Sequence, residues 1–266
     1  MAIGKCLLTG ATGTFAKSHL YPLAFTAPAV PGSYFIQAGE GTRPIRTFTS
    51  WYDKKILTHK GEKIISLLDD KGIKELRRLH LVWSGWGGED NIPPEIVVNR
   101  FDEKRGIRKI QNLDSSVLRL FFLSVLWRWG QSSLSAAKHV KISEANLEVI
   151  RRMILENDPG EANFFGMTLT QISTRGAPHN LAPIKREMEK CENEVYSYIR
   201  FYFDGLVVHI HTSAVDIERF GVMLLGQADE LVVIAIDHDR SFQFENMGKM
   251  ISETNHLYPQ VMKKLN

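Results

Sequence analysis

The stretch YIRFYFDGLVVHIH, residues 198–211, decides the fold of this chain. Two runs rich in β-branched and aromatic residues flank Asp204-Gly205, which is the composition that a two-residue type I′ hairpin turn requires. We therefore predict two antiparallel strands, with Gly205 at a positive φ where a Cβ would be costly. The loosely alternating run Phe164–Ser173 and the apolar run Leu231–Ile236 predict two further strands. These strands indicate a C-terminal antiparallel β-hairpin sheet.

The centre of the chain has helical periodicity. Three helices are predicted, over Glu62–Leu79, from Asp114 or Ser115 to about Trp129, and from Ser143 to about Glu156. Gly72 is a candidate break within the first helix, and Gly130 is the predicted stop of the second. The second helix is apolar nearly all round, which is typical of a buried central helix.

The N-terminal region is rich in glycine and proline, and it predicts an irregular β module with short strands at Tyr34–Ile36 and Thr47–Thr49. Near the other end, Pro183–Asn193 predicts a charged helix or turn, and a short helix is expected from Asn246. The predicted fold class is therefore α+β. It comprises an irregular β module over residues 1–60, a helical region over 61–158 and an α+β region over 159–266, with soft boundaries that allow one shared core.

Composition limits the classes of function. The 266 residues carry a formal net charge of +3, which permits contact with nucleic acid without demanding it. Two cysteines, Cys6 and Cys191, exclude a disulfide scaffold and a four-cysteine zinc site within one chain. The N-terminal apolar run is too short for a signal peptide, and Arg119 interrupts the longest apolar stretch, Val117–Trp129. We expect a cytoplasmic protein with no membrane partner.

Residues 7–20, LLTGATGTFAKSHL, resemble the nucleotide-binding turn of extended short-chain dehydrogenases. Gly10 and Gly13 match the first two glycines of that turn, whereas Ala16 stands at the third. The helix that should follow meets Pro22, and none of the seven tyrosines has a lysine four residues on. A continuous helix over residues 14–26 would favour a nucleotide-cofactor enzyme, and a strand there would favour a different kind of module.

The same segment has a second resemblance. Cys6-Leu-Leu-Thr-Gly10, followed by Lys17-Ser-His-Leu-Tyr-Pro22, resembles the opening of HNH-type, treble-clef modules of bacterial proteins. Those modules begin with a Cys-x-x-Cys knuckle, a glycine turn and a Ser-His-Ile-Ile-Pro-like strand. The helix over Phe122–Arg128 also looks like one that follows such a module. The second knuckle cysteine is Thr9 here, and no cysteine stands around Ile65–Asp69, where we place the second pair, so structural zinc is not expected.

The HNH resemblance implies a metal-dependent, nuclease-like site in which a histidine activates water and a divalent ion stabilises the phosphate. His19 matches the motif histidine and is the candidate catalytic residue. Strand alternation predicts Lys17, His19 and Tyr21 on one face, with Ser18 and Leu20 on the other. A divalent metal ion would be needed only if catalysis is retained, and no metal ligand is assigned.

Basic residues cluster in sequence around the loop that holds Trp83 and Trp86. The candidate nucleic-acid contacts are Lys17, Arg77, Arg78, Arg105 and Arg108. The function predicted first is a nucleic-acid-associated, HNH-like protein with degraded catalysis, as a subunit of a bacterial defence or mobile-element system. The alternative is a non-enzymatic protein-interaction subunit or homo-oligomer. The third hypothesis is the nucleotide-cofactor enzyme.

A further set of histidines is a candidate metal site. His209 and His211 lie two residues apart in a predicted strand, and His238 stands between two aspartates at a strand end. The competing interpretation is a polar strand face and a solvated turn. For Trp127-Arg128-Trp129 we expect core packing with a snorkelling arginine.

Overall fold

The fold is seen in a computed structural model, which describes residues 2–26, 35–40, 42–102, 105–176, 179–189, 195–212, 220–241, 244–245 and 248. Its helices are α1 (His59–Arg78), α2 (Ser115–Gln131) and α3 (Glu144–Glu156). The strands are β1 (Ile3–Lys5), β2 (Thr12–Thr14), β3 (Ser18–His19), β4 (Phe35–Gly39), β5 (Thr42–Thr47), β6 (Tyr52–Asp53), β7 (Asn99–Arg100), β8 (Arg105–Ile110), β9 (Met167–Ile172), β10 (His179–Leu181), β11 (Ile184–Glu189), β12 (Val195–Phe203), β13 (Leu206–His211) and β14 (Leu231–Ile236). The α+β class is confirmed.

The largest sheet has seven strands in the order β11-β12-β13-β9-β14-β8-β7, and each neighbouring pair is antiparallel except β9 and β14. The predicted hairpin lies in it as β12 and β13. Asp204 and Gly205 have φ angles of 47° and 87°, so both central residues are left-handed as a type I′ turn requires. Over the described part of Pro183–Asn193 the prediction of a helix or turn is wrong, because β11 pairs with β12 from Ile184 to Glu189.

Helix α2 packs its aromatic side chains against the inner face of this sheet. The ring centroids of Phe121 and Phe122 lie 5.8 and 5.4 Å from that of Phe203 on β12. Gly72 does not break α1, which continues through it. A Cβ at Gly72 would lie 2.4 Å from Cγ of Phe121, so glycine allows α1 and α2 to approach closely at this point.

The helix ends follow the sequence signals closely. Asp114 caps α2 by accepting from the Val117 amide at 2.9 Å, and Ser143 caps α3 by accepting from the Asn146 amide at 3.3 Å. Helix α2 runs one residue past Gly130. Helix α3 ends at Asn157, whose φ of 56° provides the left-handed cap.

One apolar cluster draws side chains from all three predicted regions. It contains Leu20 from the N-terminal region, Leu76 and Phe121 from the helical centre, and Phe201 and Val233 from the large sheet. Two small sheets, β1-β2 and β3-β6, lie at the N-terminal end, and β10-β4-β5 forms a third. The helix predicted from Asn246 falls largely outside the described residues. Among those that are described, no helix has the length and apolar character needed to cross a membrane.

Candidate nucleic-acid interface

The N-terminal segment folds as the antiparallel pair β1 and β2, with Cys6 and Thr9 at the turn between them. The Cys6 thiol is buried and accepts a hydrogen bond from the Thr9 amide at 3.5 Å. Although burial raises the pKa of this thiol, hydrogen bonds from Thr9 and Thr58 lower it overall. A Cβ at Gly61 would lie 2.6 Å from Sγ of Cys6. The beginning of α1 therefore faces the β1–β2 turn.

Residues at the start of α1 lie beside the Cys6 thiol. Thr58 contributes hydrogen bonds to it and Gly61 faces it, whereas Ile65–Asp69 lies further along α1. Cys6, Thr9, Thr58 and Gly61 are thus grouped together, with one thiol among them. Hydroxyl groups and a glycine do not replace the thiolate or imidazole ligands of a structural zinc ion.

The segment from Thr14 to Thr26 is not a continuous helix. It contains the short strand β3 and a single 3₁₀ turn over Leu23–Phe25, and Gly10 and Gly13 lie in and beside a β-turn. A dinucleotide site needs a helix N-terminus immediately after the glycines, where the amides meet the pyrophosphate. The described backbone at Gly10–Gly13 does not provide one, so the context that the dinucleotide-binding turn requires is missing here.

Strand β3 pairs with β6 and places Ser18 and His19 on opposite sides. Ser18 is fully buried, and its hydroxyl donates to Oε2 of Glu62 at 2.5 Å. The His19 ring is half-buried, with Nε2 3.3 Å from Oγ1 of Thr49. Burial lowers the pKa of His19, and the positive charges of Lys17 and Arg128 lower it further. The imidazole is therefore held in its neutral form, which can both donate and accept a hydrogen bond.

Beside His19 lies a basic surface centred on one tyrosine. The Lys17 ammonium nitrogen is 4.0 Å from the centroid of the Tyr52 ring, and that of Lys54 is 5.7 Å from it. The His19 ring meets the same tyrosine at 6.1 Å in an edge-on contact. We call Lys17, His19, Tyr52 and Lys54 the Tyr52 patch. Lys17 and His19 share this surface as predicted.

Tyr21 does not lie on this surface, and the prediction that it shares a face with His19 is wrong. Strand β3 ends at His19, so the alternation does not continue to Tyr21. Its ring is buried 5.3 Å from that of Phe203, and its hydroxyl donates to the carbonyl of Leu181 at 3.2 Å. Burial raises the pKa of the Tyr21 hydroxyl far above its ordinary value. Tyr21 is a core residue.

A buried ion pair supports the His19 strand from below. Arg128 on α2 is 1% exposed and donates to Asp69 on α1 through two nitrogens, at 3.0 and 2.7 Å. Its Nη1 also donates to the carbonyl of His19 at 2.9 Å. The expectation of a snorkelling arginine is wrong, because the guanidinium lies inside the protein. The sequence does contain a signal for this ion pair. A charged residue on a helix that is apolar nearly all round must lie inside the protein, and a buried charge needs a buried partner.

The predicted arginines lie elsewhere, and most are already paired. Arg77 and Arg78 end α1, roughly 12 Å along its axis from Asp69. Arg78 makes two hydrogen bonds to Glu75, and Arg105 pairs with Asp102 at 2.8 Å. Arg77 donates to the hydroxyl of Ser84 at 3.2 Å. None of these arginines joins the Tyr52 patch.

Arg108 is buried, so its predicted role as a surface contact for nucleic acid is wrong. Its guanidinium donates to the carbonyls of Leu79 and His80 and, at 2.9 Å, to Oε1 of Gln171. The two carbonyls lie at the C-terminal end of α1, where backbone oxygens lack helical partners and the helix dipole is negative. Arg108 thus stabilises the end of a helix.

The histidines considered as metal ligands separate into two places. His209 and His211 lie beside Tyr198, with ring centroids 4.4 and 5.9 Å from the tyrosine ring. His238 lies beside Trp83, and its Nδ1 is 2.8 Å from Asp239. Within the part of the chain that the structure describes, no three His, Cys, Asp or Glu residues are grouped so that they could hold a metal ion.

Comparison with family models, with curated proteins and with solved structures finds no significant match for this chain. The candidate site therefore stands on its own geometry: a neutral histidine and two lysines arranged around an exposed part of a tyrosine ring.

Proposed function

We propose that this chain is a nucleic-acid-associated, HNH-like protein that binds a phosphate backbone on the Tyr52 patch, with its catalysis degraded. The observation that carries the proposal is the approach of two ammonium groups, Lys17 and Lys54, to one tyrosine ring beside His19. Lysine ammonium groups and neutral imidazoles both donate to phosphate oxygens.

The charge around the patch supports an anionic ligand. Among the described residues, neither Lys17 nor Lys54 makes an ion pair with a carboxylate. Asp53, the nearest acid in sequence, is buried and accepts hydrogen bonds from the Lys55 amide and the Ser132 hydroxyl. The two positive charges are therefore available to phosphates.

The surroundings of His19 favour binding over hydrolysis. Its ring contacts Thr49 and Tyr52, whereas a divalent ion at a nuclease site is held by carboxylate, amide or imidazole groups. We therefore assign His19 as a hydrogen-bonding contact to phosphate. Participation in a bacterial defence or mobile-element system is the system-level form of this proposal, and it rests on the HNH resemblance.

Fluorescence anisotropy with duplex DNA tests the proposal. The wild type should bind, and Lys17→Gln/Lys54→Gln should lower the slope of log affinity against log salt by about 1.8, at about 0.9 per phosphate contact. Lys71→Gln/Lys74→Gln removes the same charge from exposed positions of α1 and serves as the control. His19→Ala should weaken binding while leaving the melting temperature nearly unchanged. Equal slopes for both double variants would remove the patch from consideration.

A second candidate function is a protein-interaction subunit, and two exposed apolar side chains in and just after β5 favour it. Ile45 is 48% exposed and Phe48 is 62% exposed, so both present apolar surface to solvent. Sedimentation velocity of the wild type and of Ile45→Ser/Phe48→Ser tests for self-association. A concentration-dependent mass that the double variant abolishes would support this function, and a monomer throughout would leave a partner of another kind to be sought by co-purification.

A further inference from the structure

The outer face of the large sheet carries cations and rings that the Tyr52 patch does not use. In the antiparallel register, Arg186 is opposite Tyr198, Tyr198 is opposite His211, and Arg200 is opposite His209. Directly opposed residues share one face of a sheet, so these five side chains form one group. We call Arg186, Tyr198, Arg200, His209 and His211 the Arg200 face.

The alternation of β12 and β13 separates this face from the core. Ile199, Phe201 and Ile210, which lie between its members in sequence, are all buried in the main apolar cluster. Tyr198, Arg200 and His209 are only half-buried. The Arg200 face is therefore the side of the sheet opposite α2.

The two arginines have little negative charge to balance them. Arg186 lies 3.6 Å from Glu40, and the same carboxylate also lies 3.2 Å from His139. Within the described residues, Arg200 makes no ion pair, although Glu40 is near enough to act on its charge. Burial lowers the pKa of Arg200, and the charge of Arg186 lowers it further. An anion bound between the two guanidinium groups would stabilise their positive charge against both burial and mutual repulsion.

The rings on this face provide stacking surface and hydrogen-bonding groups. The ring centroids of Tyr198 and His209 are 4.4 Å apart. His211 is 6% exposed, and neither of its ring nitrogens has a hydrogen-bond partner among the described residues. Burial lowers the pKa of His211 to about 4, so the ring is neutral at pH 7 and can donate at one nitrogen and accept at the other. A buried polar ring without a partner points to a ligand group that completes its hydrogen bonds.

We propose that the Arg200 face binds single-stranded nucleic acid, with a phosphate held by Arg186 and Arg200 and an unpaired base stacked on Tyr198. Half-buried rings beside two arginines that have one carboxylate between them are a combination that single-stranded nucleic acid can use, since every unpaired base offers a π-face. A duplex cannot use this face in the same way, because its bases are already stacked. The proposal depends on residues separate from the Tyr52 patch and does not rest on the function proposed for that patch.

Fluorescence anisotropy with a labelled polythymidine strand tests the proposal. Tyr198→Ala should weaken binding about tenfold, whereas Tyr198→Phe, which keeps the ring, should bind like the wild type. Arg186→Gln/Arg200→Gln should lower the salt slope by about 1.4, at about 0.7 per phosphate contact on a single strand. Lys71→Gln/Lys74→Gln is again the charge-matched control. In a Lys17→Gln/Lys54→Gln background, Tyr198→Ala and Arg186→Gln/Arg200→Gln should change the binding of the strand as they do in the wild type.

Ultraviolet crosslinking of the wild type to the same strand, followed by peptide mapping, should attach the base within β12. This measurement needs no variant, so it remains decisive if the arginine variant fails to fold. Lack of binding at low salt, equal loss of affinity in Tyr198→Ala and Tyr198→Phe, or crosslinks confined to other peptides would each overturn the proposal. Binding of duplex with no binding of single strands would overturn it while leaving the Tyr52 patch supported.

Discussion

Gly205→Ala should lower the free energy of unfolding by roughly 3 kcal/mol, and two separable effects make up this figure. An alanine at a φ of +87° pays a left-handed backbone penalty of about 1–2 kcal/mol. Its Cβ would also lie 2.3 Å from Nε1 of Trp83, so the indole must move. That indole is buried and donates to the carbonyl of Ile172 at 3.1 Å, and loss of this bond and its packing adds about 1–2 kcal/mol.

Gly87→Ala is the matched control, because it isolates the backbone effect. Gly87 has a φ of +65°, and no described atom lies within 4 Å of a Cβ built there. It should therefore cost only about 1–2 kcal/mol. Urea unfolding followed by tryptophan fluorescence measures both variants, and the melting temperature of Gly205→Ala should fall by roughly 6–12 °C.

A Trp83→Phe background tests the steric part directly, because it removes the atoms nearest the added Cβ. In that background the cost of Gly205→Ala should fall toward the cost of Gly87→Ala. If Gly205→Ala and Gly87→Ala destabilise the wild type equally, then Trp83 does not pack over the turn and contributes no steric cost to Gly205→Ala.

Three other predictions follow from the buried polar groups. Asp69→Ala should lower the free energy of unfolding, measured in urea, by about 3–5 kcal/mol, because it leaves the Arg128 charge buried and unpaired. Glu148→Ala removes one partner of an exposed ion pair and should leave the melting temperature unchanged. Equal effects of the two variants would contradict the burial of Arg128. Burial lowers the pKa of His211 to about 4 and that of His209 to about 3, so each histidine should remove about 3 kcal/mol of stability as the pH falls from 6.5 to 4, because the unfolded chain binds the proton first. His211→Phe should therefore remove about half of this loss over that window, and an unchanged unfolding profile would exclude the titration of His211. Thr9→Cys/Thr58→Cys/Gly61→Cys should bind about one zinc ion per chain by elemental analysis, with Cys6 turning to become the fourth ligand, while the wild type carries well under one. Stoichiometric zinc in the wild type, or none in the variant, would contradict the proposed relationship between these four positions and an HNH-type knuckle.

Features with a local physical signature could be predicted from the sequence. The Asp204-Gly205 turn needs two left-handed residues, and few other dipeptides meet that need. Asp114 and Ser143 could be recognised as caps because a side-chain oxygen satisfies amides that every helix start leaves free. A two-residue alternation also predicted that Lys17 and His19 share a face, although it failed at Tyr21, which lies beyond the end of β3.

Features that depend on distant partners could not be predicted in this way. Strand β11 has four charged residues in six positions, and since it is an edge strand paired on one side only, its sequence lacks the apolar content of a central strand. The charged residues around Arg108 in the sequence predict a surface position for it. It shares a strand face with Ile110, however, and its burial depends on free carbonyls at the end of α1, more than 25 residues earlier in the chain.

Under the proposed HNH relationship, the fold offers a structural reason why Cys6 has no second thiol beside it. A free-standing module of this size needs a metal because it cannot bury enough apolar surface. Here Cys6, Leu8 and Leu20 are buried in the same apolar cluster as α2 and the large sheet, and Arg128 bonds directly to the backbone of β3. The N-terminal segment is therefore stabilised by the main core, and under the proposed relationship Thr9, Thr58 and Gly61 stand at positions that need not bind a metal. The same anchoring fixes the backbone of His19 beside Lys17, so the phosphate contact that we propose for the Tyr52 patch rests on a strand held by the main core.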